Sequence, residues 1–294
     1  MLEHLIRLPK ELTHMSVKAE TTVVGETSIS QAATKQETVK ILLTTKIWRG
    51  GLLPVGILVL WQGFSMLGWA DPALFPAPSS IVAELYQLLL SGELIDNLEI
   101  SMARALGGFL LGGTAGLALG LFVGMHQRAE EYIDPTVQML RTIPLLAITP
   151  LFILWFGFGE LSKVLLIAMG AFFPLYVNSF LGVRNVDAKL FDVAKVLEFS
   201  QSKLIRKLLL PAAMPNILLG LRLSLSISWM VLVVAELMGA DRGVGYLIQD
   251  ARSFMRTEVV FIGILLFAAV GKITDSLVRL LEARLLKWQD SFKG

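Results

Sequence analysis

The sequence predicts an all-α membrane protein with about six transmembrane helices and both termini in the cytoplasm. Three observations carry this expectation. The 294-residue chain is 54% hydrophobic and only 17% charged, where soluble domains carry about 25% charged residues. Its apolar residues fall into six runs near the roughly 20 residues that a membrane helix needs. Of its 26 Lys and Arg residues, 19 lie in alternate segments between those runs. The same composition excludes several classes. With 24 acidic residues the formal net charge is +2, so there is no basic field for nucleic acid. There is no Cys, hence no disulfide, thiolate metal site or Cys nucleophile.

Residues 1–46 are rich in Thr, Glu, Lys, Ser and Gln. They read as a flexible cytosolic extension. They are not a secretory signal, because a long charged stretch precedes any apolar core. Residues 47–290 form the membrane domain. The expected spans are 52–69, 103–125, 144–158, 164–183, 217–240 and 259–277. The third is short and contains Pro144 and Pro150. Basic residues number seven in residues 1–50, two in 126–141, six in 184–215 and four from Arg279 onward. The opposite connections hold four, and Arg104, Arg222 and Lys272 lie within spans. Because Lys and Arg collect in cytoplasmic loops, the alternation requires an even number of spans. Between the first two spans, the rigid turn Phe75-Pro76-Ala77-Pro78-Ser79-Ser80 supplies a Ser N-cap. It leads into an amphipathic helix over 81–90, too short to span.

The second span carries Gly108, Gly112, Gly116, Gly120 and Gly124 at intervals of four. Each step drifts about 40° around the helix, so the stripe is expected to pack against more than one neighbour. Pro144, Pro150 and Pro174 each free a backbone carbonyl, tolerated only within protein or along a wet cavity. With Thr149, Asn178, Ser228 and Glu236 they form the candidate pathway or gate. A plain packing kink is the equal alternative for the prolines, and Ser or Thr bonding to its own helix backbone is the alternative for the hydroxyls. Glu236 lies about 30 Å along the fifth span, near the outer mouth, and Arg222 near the inner end. Lys272 and Asp275, three apart, can pair. Pairing or snorkelling is favoured over a proton relay for these four. His4, His14 and His126 all fall outside the spans, so neither a metal spacing nor a Ser-His-Asp arrangement is available.

Residues 184–215 form a 32-residue inner loop of mixed charge. Apolar spacing over 190–210 predicts a pair of short amphipathic helices, a docking surface for a soluble partner. Within it, Asp192-Val193-Ala194, Glu198, Leu208 and Leu210-Pro211 follow a recognisable spacing. The segment resembles the inner-loop motif of bacterial ABC importer permeases, in which Glu-Ala-Ala is followed after three residues by Gly, and then by Ile and Leu-Pro. Glu198 stands in the glycine position, which predicts either strain or a turn formed differently.

Further stretches carry the same likeness, among them Ile153-Leu154-Trp155-Phe156-Gly157, Phe173-Pro174, and Ala235-Glu236 followed by Gly243-Val244-Gly245-Tyr246. They look like the nitrate, taurine and aliphatic-sulfonate group of these permeases, over about residues 50–290. Ser91-Gly92-Glu93-Leu94 and Asp134-Pro135 resemble the sulfonate members most, whereas Val193-Ala194-Lys195-Val196-Leu197 is similar to nitrate members.

The resemblance implies a type I importer permease in the bacterial inner membrane. It would work with a second permease subunit, two ATP-binding cassette ATPase subunits and an extracytoplasmic solute-binding protein. The substrate would be a small anion: an aliphatic sulfonate or taurine first, nitrate, nitrite, cyanate or bicarbonate as the alternative. The chain has no G-x-x-x-x-G-K-[ST] phosphate loop, so ATP and Mg belong to the partner ATPase and no cofactor is expected here. Asp192, Val193, Ala194, Glu198, Leu208, Leu210 and Pro211 would couple the two. Competing classes are a self-sufficient carrier or channel, a membrane enzyme, which lacks a catalytic pair, and a scaffold, which leaves the charged loop without a partner.

Overall fold

The computed structural model describes residues 52–69 and 71–286. The expected extension over 1–46 and the last residues of the expected membrane domain lie outside them. The chain divides into two units, residues 1–69 and 70–294. In the first, the 52–69 run forms one helix, α1 (Leu52–Met66). The second holds all the elements below. Among the described residues there is no β-strand.

Four helices are long and apolar enough to cross a membrane: α3 (Glu93–Met125), α6 (Glu160–Arg184), the continuous helix Gln201–Gly239, and α11 (Thr257–Leu285). The third expected span, 144–158, is the short helix α5 (Leu145–Phe156). The 126–141 connection ahead of it, expected as an inner loop, is a helix as well, α4 (Gln127–Arg141); the two are bent by 95° at the break between them. With the pair taken as one crossing, the long apolar spans number up to five. Pro144 causes the break rather than kinking a helix from within. It caps α5 in an extended conformation, φ −64° and ψ 120°, which cannot continue α4. The 12 residues of α5 extend about 18 Å, well short of the hydrocarbon thickness.

Packing explains why the chain must turn back here. The five-glycine stripe of α3 faces one neighbour, α6, along its whole length, not several. A Cβ on Gly108 would lie 2.5 Å from Ile167 Cγ2, one on Gly120 2.5 Å from the Tyr176 carbonyl, and one on Gly124 2.8 Å from Val183 Cβ. Gly112 and Gly116 sit still closer, against the Ala168 and Phe172 carbonyls. The α6 carbonyls that the five glycines meet, those of Val164, Ala168, Phe172, Tyr176 and Phe180, also advance by fours, so both stripes drift together and the helices wind about each other. Small residues permit this backbone approach in lipid. Since residue numbers rise together, α3 and α6 are parallel, and α4–α5 must carry the chain back between them.

The helix Gln201–Gly239 returns antiparallel to α6. Gly182 meets Ala213 and Gly170 meets Val231. Ser224 Oγ donates to the Ala171 carbonyl at 2.6 Å, binding the pair across the interface. The hairpin α10 (Val244–Ser253) and α11 closes the bundle, with Gly263 against Ile248. The short helix expected over 81–90 is α2 (Pro78–Leu90). Its N-cap is Ala77 without a side-chain cap, not a Ser; Pro78 begins the helix because its fixed φ suits the first position. Arg256 donates to Glu84 at 2.8 Å, tying α2 to the start of α11 and holding the guanidinium pKa above its ordinary value. The expected Lys272–Asp275 pair is replaced by a better one. Asp275 accepts from Arg222 at 2.6 Å and from Arg279 at 2.9 Å, since Arg222 arrives from the neighbouring helix.

The packing predicts opposite outcomes for two neighbouring glycines. Gly112→Val is expected to cost about 3 kcal/mol, because the new side chain meets backbone that cannot move aside. A Cβ at Gly107 would meet nothing within 4 Å, so Gly107→Ala should be neutral or stabilise by up to about 1 kcal/mol. Thermal unfolding of the purified variants checks both.

Candidate functional site

Two constellations stand at opposite ends of the bundle. The first is the inner loop. Asp187 opens α7 (Ala188–Val196) by accepting from the Lys189 amide at 2.9 Å. The helix ends in a six-to-one and five-to-two pair of hydrogen bonds, Phe199 N to Ala194 O and Glu198 N to Lys195 O, both 3.0 Å. That pattern needs a left-handed residue just past the helix, and Glu198 supplies it with φ +49°. So the turn is the one a glycine would make, and Glu198 carries the strain.

The second helix expected in this loop is not a separate element. Residues Gln201–Leu204 (α8) pass through a π-helical turn, Ile205–Leu209, straight into α9 (Leu210–Gly239). The widened turn has a local cause. Pro211 offers no N–H, and its ring crowds the carbonyl four residues back, that of Lys207. The wider turn, in which Leu210 N bonds to Ile205 O, relieves that crowding. Between α7 and this turn lies an apolar groove of about 570 Å³, lined by Val193, Ala194, Leu197, Leu208 and Pro211 among others. Ala194 is buried, whereas Asp192, Val193, Leu197 and Glu198 are exposed. Four of the seven expected coupling residues, Val193, Ala194, Leu208 and Pro211, line this groove; Asp192 and Glu198 do not line it, and Leu210 packs against the core beside Leu209 and Ala213.

The second constellation is a buried charge cluster. Arg104 and Glu236 pair at 2.8 Å with side chains 3% and 0% exposed. Glu236 also accepts from Ser101 Oγ at 2.8 Å and from the Gly245 amide at 2.8 Å. The adjacent amides are held as well, Gly243 N by Asn97 at 2.7 Å and Val244 N by Ser101 at 2.9 Å. These three N–H groups open α10, where a carboxylate is favoured by the helix dipole. Gly243 is required twice over: its φ is +112°, and a Cβ there would press on Glu236 and lie 2.7 Å from Arg104 Nη1. The other edge of Arg104 makes a two-pronged bond to Glu160, Nε and Nη2 each at 2.6 Å. Its Nη1 also donates to the Arg242 carbonyl at 2.6 Å. Sequence reasoning took Glu236 as a pathway candidate and left Arg104 unplaced; Asn97, Ser101 and Glu160 it did not single out.

The remaining candidates divide. Pro144, Pro174 and Asn178 line a cleft of about 480 Å³ beside the α4–α5 break, with Leu223 and Ile227 opposite. Asn178 donates to the Pro174 carbonyl at 2.8 Å. Thr149 and Ser228 are buried and bond to their own helices, to Leu145 O and Ser224 O. Pro150 lies within α5, exposed.

Residues 112–287 match the family of binding-protein-dependent transport system inner membrane components. The chain belongs to this family. It is 58% identical to a Bacillus subtilis (strain 168) protein named for aliphatic sulfonates transport, permease protein SsuC, over 84% of this chain and 89% of that one. It is 42% identical to the Escherichia coli (strain K12) protein of the same name, over 86% and 95%. A solved amino acid ABC transporter superposes on 68% of this chain and 97% of its own, with a TM-score of 0.55 and 18% identity. That likeness concerns the fold alone. As an inner membrane component of this family, the chain is a transport subunit.

Two expected outcomes follow from the geometry of this permease. Glu198→Gly should stabilise the protein by about 1 kcal/mol, because glycine adopts φ > 0 without a Cβ clash; thermal unfolding reads it. Arg104→Ala should cost about 3–5 kcal/mol, because it strands the buried Glu236 carboxylate without its counter-ion. Denaturant or thermal unfolding of the purified variant measures that loss.

Proposed function

We propose that this chain is the membrane-spanning subunit of an ATP-driven importer for small aliphatic sulfonate anions, taurine included. Two copies form the path. Two ATPase subunits bind the groove beside α7, and an external solute-binding protein delivers the anion to the opposite end. In this arrangement α1 and the bent pair α4–α5 bring the crossings to six, both termini face the cytoplasm, and residues 1–46 form a cytosolic extension. ATP and Mg are held by the ATPase, and this chain binds neither.

The observation that carries the proposal is the α7 groove. It is apolar inside, with the exposed Lys207 on its lining and the exposed Asp192 and Glu198 next in sequence to lining residues Val193 and Leu197. An apolar groove with a charged rim suits a soluble protein that inserts and is oriented by charge. Closure of the ATPase pair on ATP would move α7 and, through the continuous helix Gln201–Gly239, the far end of the bundle. The substrate class is supported by the relatives named for aliphatic sulfonates, which match almost end to end.

The test is ATPase stimulation of the reconstituted complex, with binding protein loaded in turn with ethanesulfonate, taurine, nitrate or bicarbonate. Stimulation by the sulfonates is expected. Stimulation by nitrate or bicarbonate with neither sulfonate active would overturn the substrate. Glu198→Lys reverses a charge at the groove and is expected to weaken ATPase association about tenfold, or about 1.4 kcal/mol. Unchanged association and turnover would remove position 198 from the contact.

A further inference from the structure

We infer that Glu160 is an exchangeable counter-ion on Arg104, and that the guanidinium edge it occupies is a transit site for the anionic head group of the substrate. This inference rests on the anion-importer function proposed above. Arg104 has two carboxylate partners of very different character. Glu236 is fully buried, on the far side of the guanidinium, and is fixed by Ser101 and the Gly245 amide as well. Glu160 has a side chain 59% exposed. It stands in the first turn of α6, and apart from Arg104 only Lys163, at 3.6 Å, pairs with it.

Releasing Glu160 therefore needs a rotation of its own exposed side chain and breaks none of the bonds that fix Glu236. The charge that remains decides what would enter. With Glu160 in place the cluster holds two cations, Arg104 and Lys163, and two carboxylates. With Glu160 turned out, Arg104 keeps Glu236 while Lys163 loses its carboxylate partner, and these three groups are left with one net positive charge. Lys163 is itself buried and tethered to the Phe158 and Gly159 carbonyls, so it cannot follow Glu160 outward. The vacated edge presents two parallel N–H groups, Nε and Nη2. That fork fits two oxygens of one oxyanion, whether carboxylate or sulfonate. A resident carboxylate keeps the edge neutral when no substrate is present. It also keeps the site weak, since an incoming anion must displace a tethered competitor, and weak binding is what a transit site requires.

The assembled transporter, purified with its ATPase but without binding protein, tests this by titration with ethanesulfonate, followed by thermal unfolding. Glu160→Gln removes the competing charge and is expected to tighten the apparent Kd at least about tenfold. Glu160→Ser vacates the position and should do the same, while Glu160→Asp should remain like the wild type. Uncharged dimethyl sulfone should shift nothing. If neither Gln nor Ser tightens binding, or if the sulfone shifts the midpoint as far as the sulfonate, the inference fails. Transport by the wild type separates the two proposals. Sulfonate transport with no tightening in the variants removes only the exchange at Glu160. Transport of nitrate or bicarbonate instead removes the sulfonate assignment, and the same titration with that anion then decides on Glu160.

Discussion

The carboxylate of Glu236 is fully buried, and its partners come from two other parts of the chain. Arg104 and Ser101 lie on α3, the Gly245 amide opens α10, and Glu236 itself ends the long helix. In an apolar bundle an ionised group is tolerated only when its charge is answered and its lone pairs are filled. Meeting those demands sets the rest of this end. It sets the height of α3 against the long helix. It requires a glycine at 243, where the backbone passes over the carboxylate. It turns the start of α10 inward, so that its free amides point at charge rather than at lipid. The glycine seam between α3 and α6 then brings Glu160 to the remaining edge of the guanidinium.

Much of this architecture was legible in the sequence, and the failures have identifiable causes. Long apolar runs and alternating basic loops disclosed the helical membrane class, because both reflect the bilayer and act locally. The short third span was placed over 144–158, where α5 lies, but α4 ahead of it was read as an inner connection because its charged residues interrupt the apolar run; Pro144 marked the break without giving its angle. The glycine stripe was read correctly as a contact. Its single partner was missed because the drift of a stripe on one helix says nothing about a neighbour that drifts equally. Asn97, Ser101 and Arg104 did carry a signal: they fall at i, i+4 and i+7 on one helix face. What the chain could not show alone was that their partners lie more than 130 residues away.

The inner loop shows the converse. Its motif spacing picked out four residues that line the groove, Val193, Ala194, Leu208 and Pro211, and the departure at Glu198 was visible at once as a residue in a glycine's place. Only the backbone reveals that the turn keeps its left-handed form regardless, with φ +49°. A non-glycine residue persists in that region when the surrounding bonds over-determine it, and here two hydrogen bonds close the helix end around it. The π turn ahead of Pro211 belongs to the same account. A proline one turn into a long helix is accommodated by widening the turn before it, so the helix remains unbroken.

That unbroken helix, 39 residues from Gln201 to Gly239, makes the two ends of the molecule a single mechanical part. Pro211 beside the groove and Glu236 in the charge cluster are separated by about 38 Å along one axis at 1.5 Å per residue. A rigid rod of that length is a lever. Tilting it by about 10° at the groove end carries the other end sideways by about 7 Å, roughly the separation of two packed helices. The wide turn at residues 205–209 sits at the base of the rod, where a small change in pitch has the greatest reach.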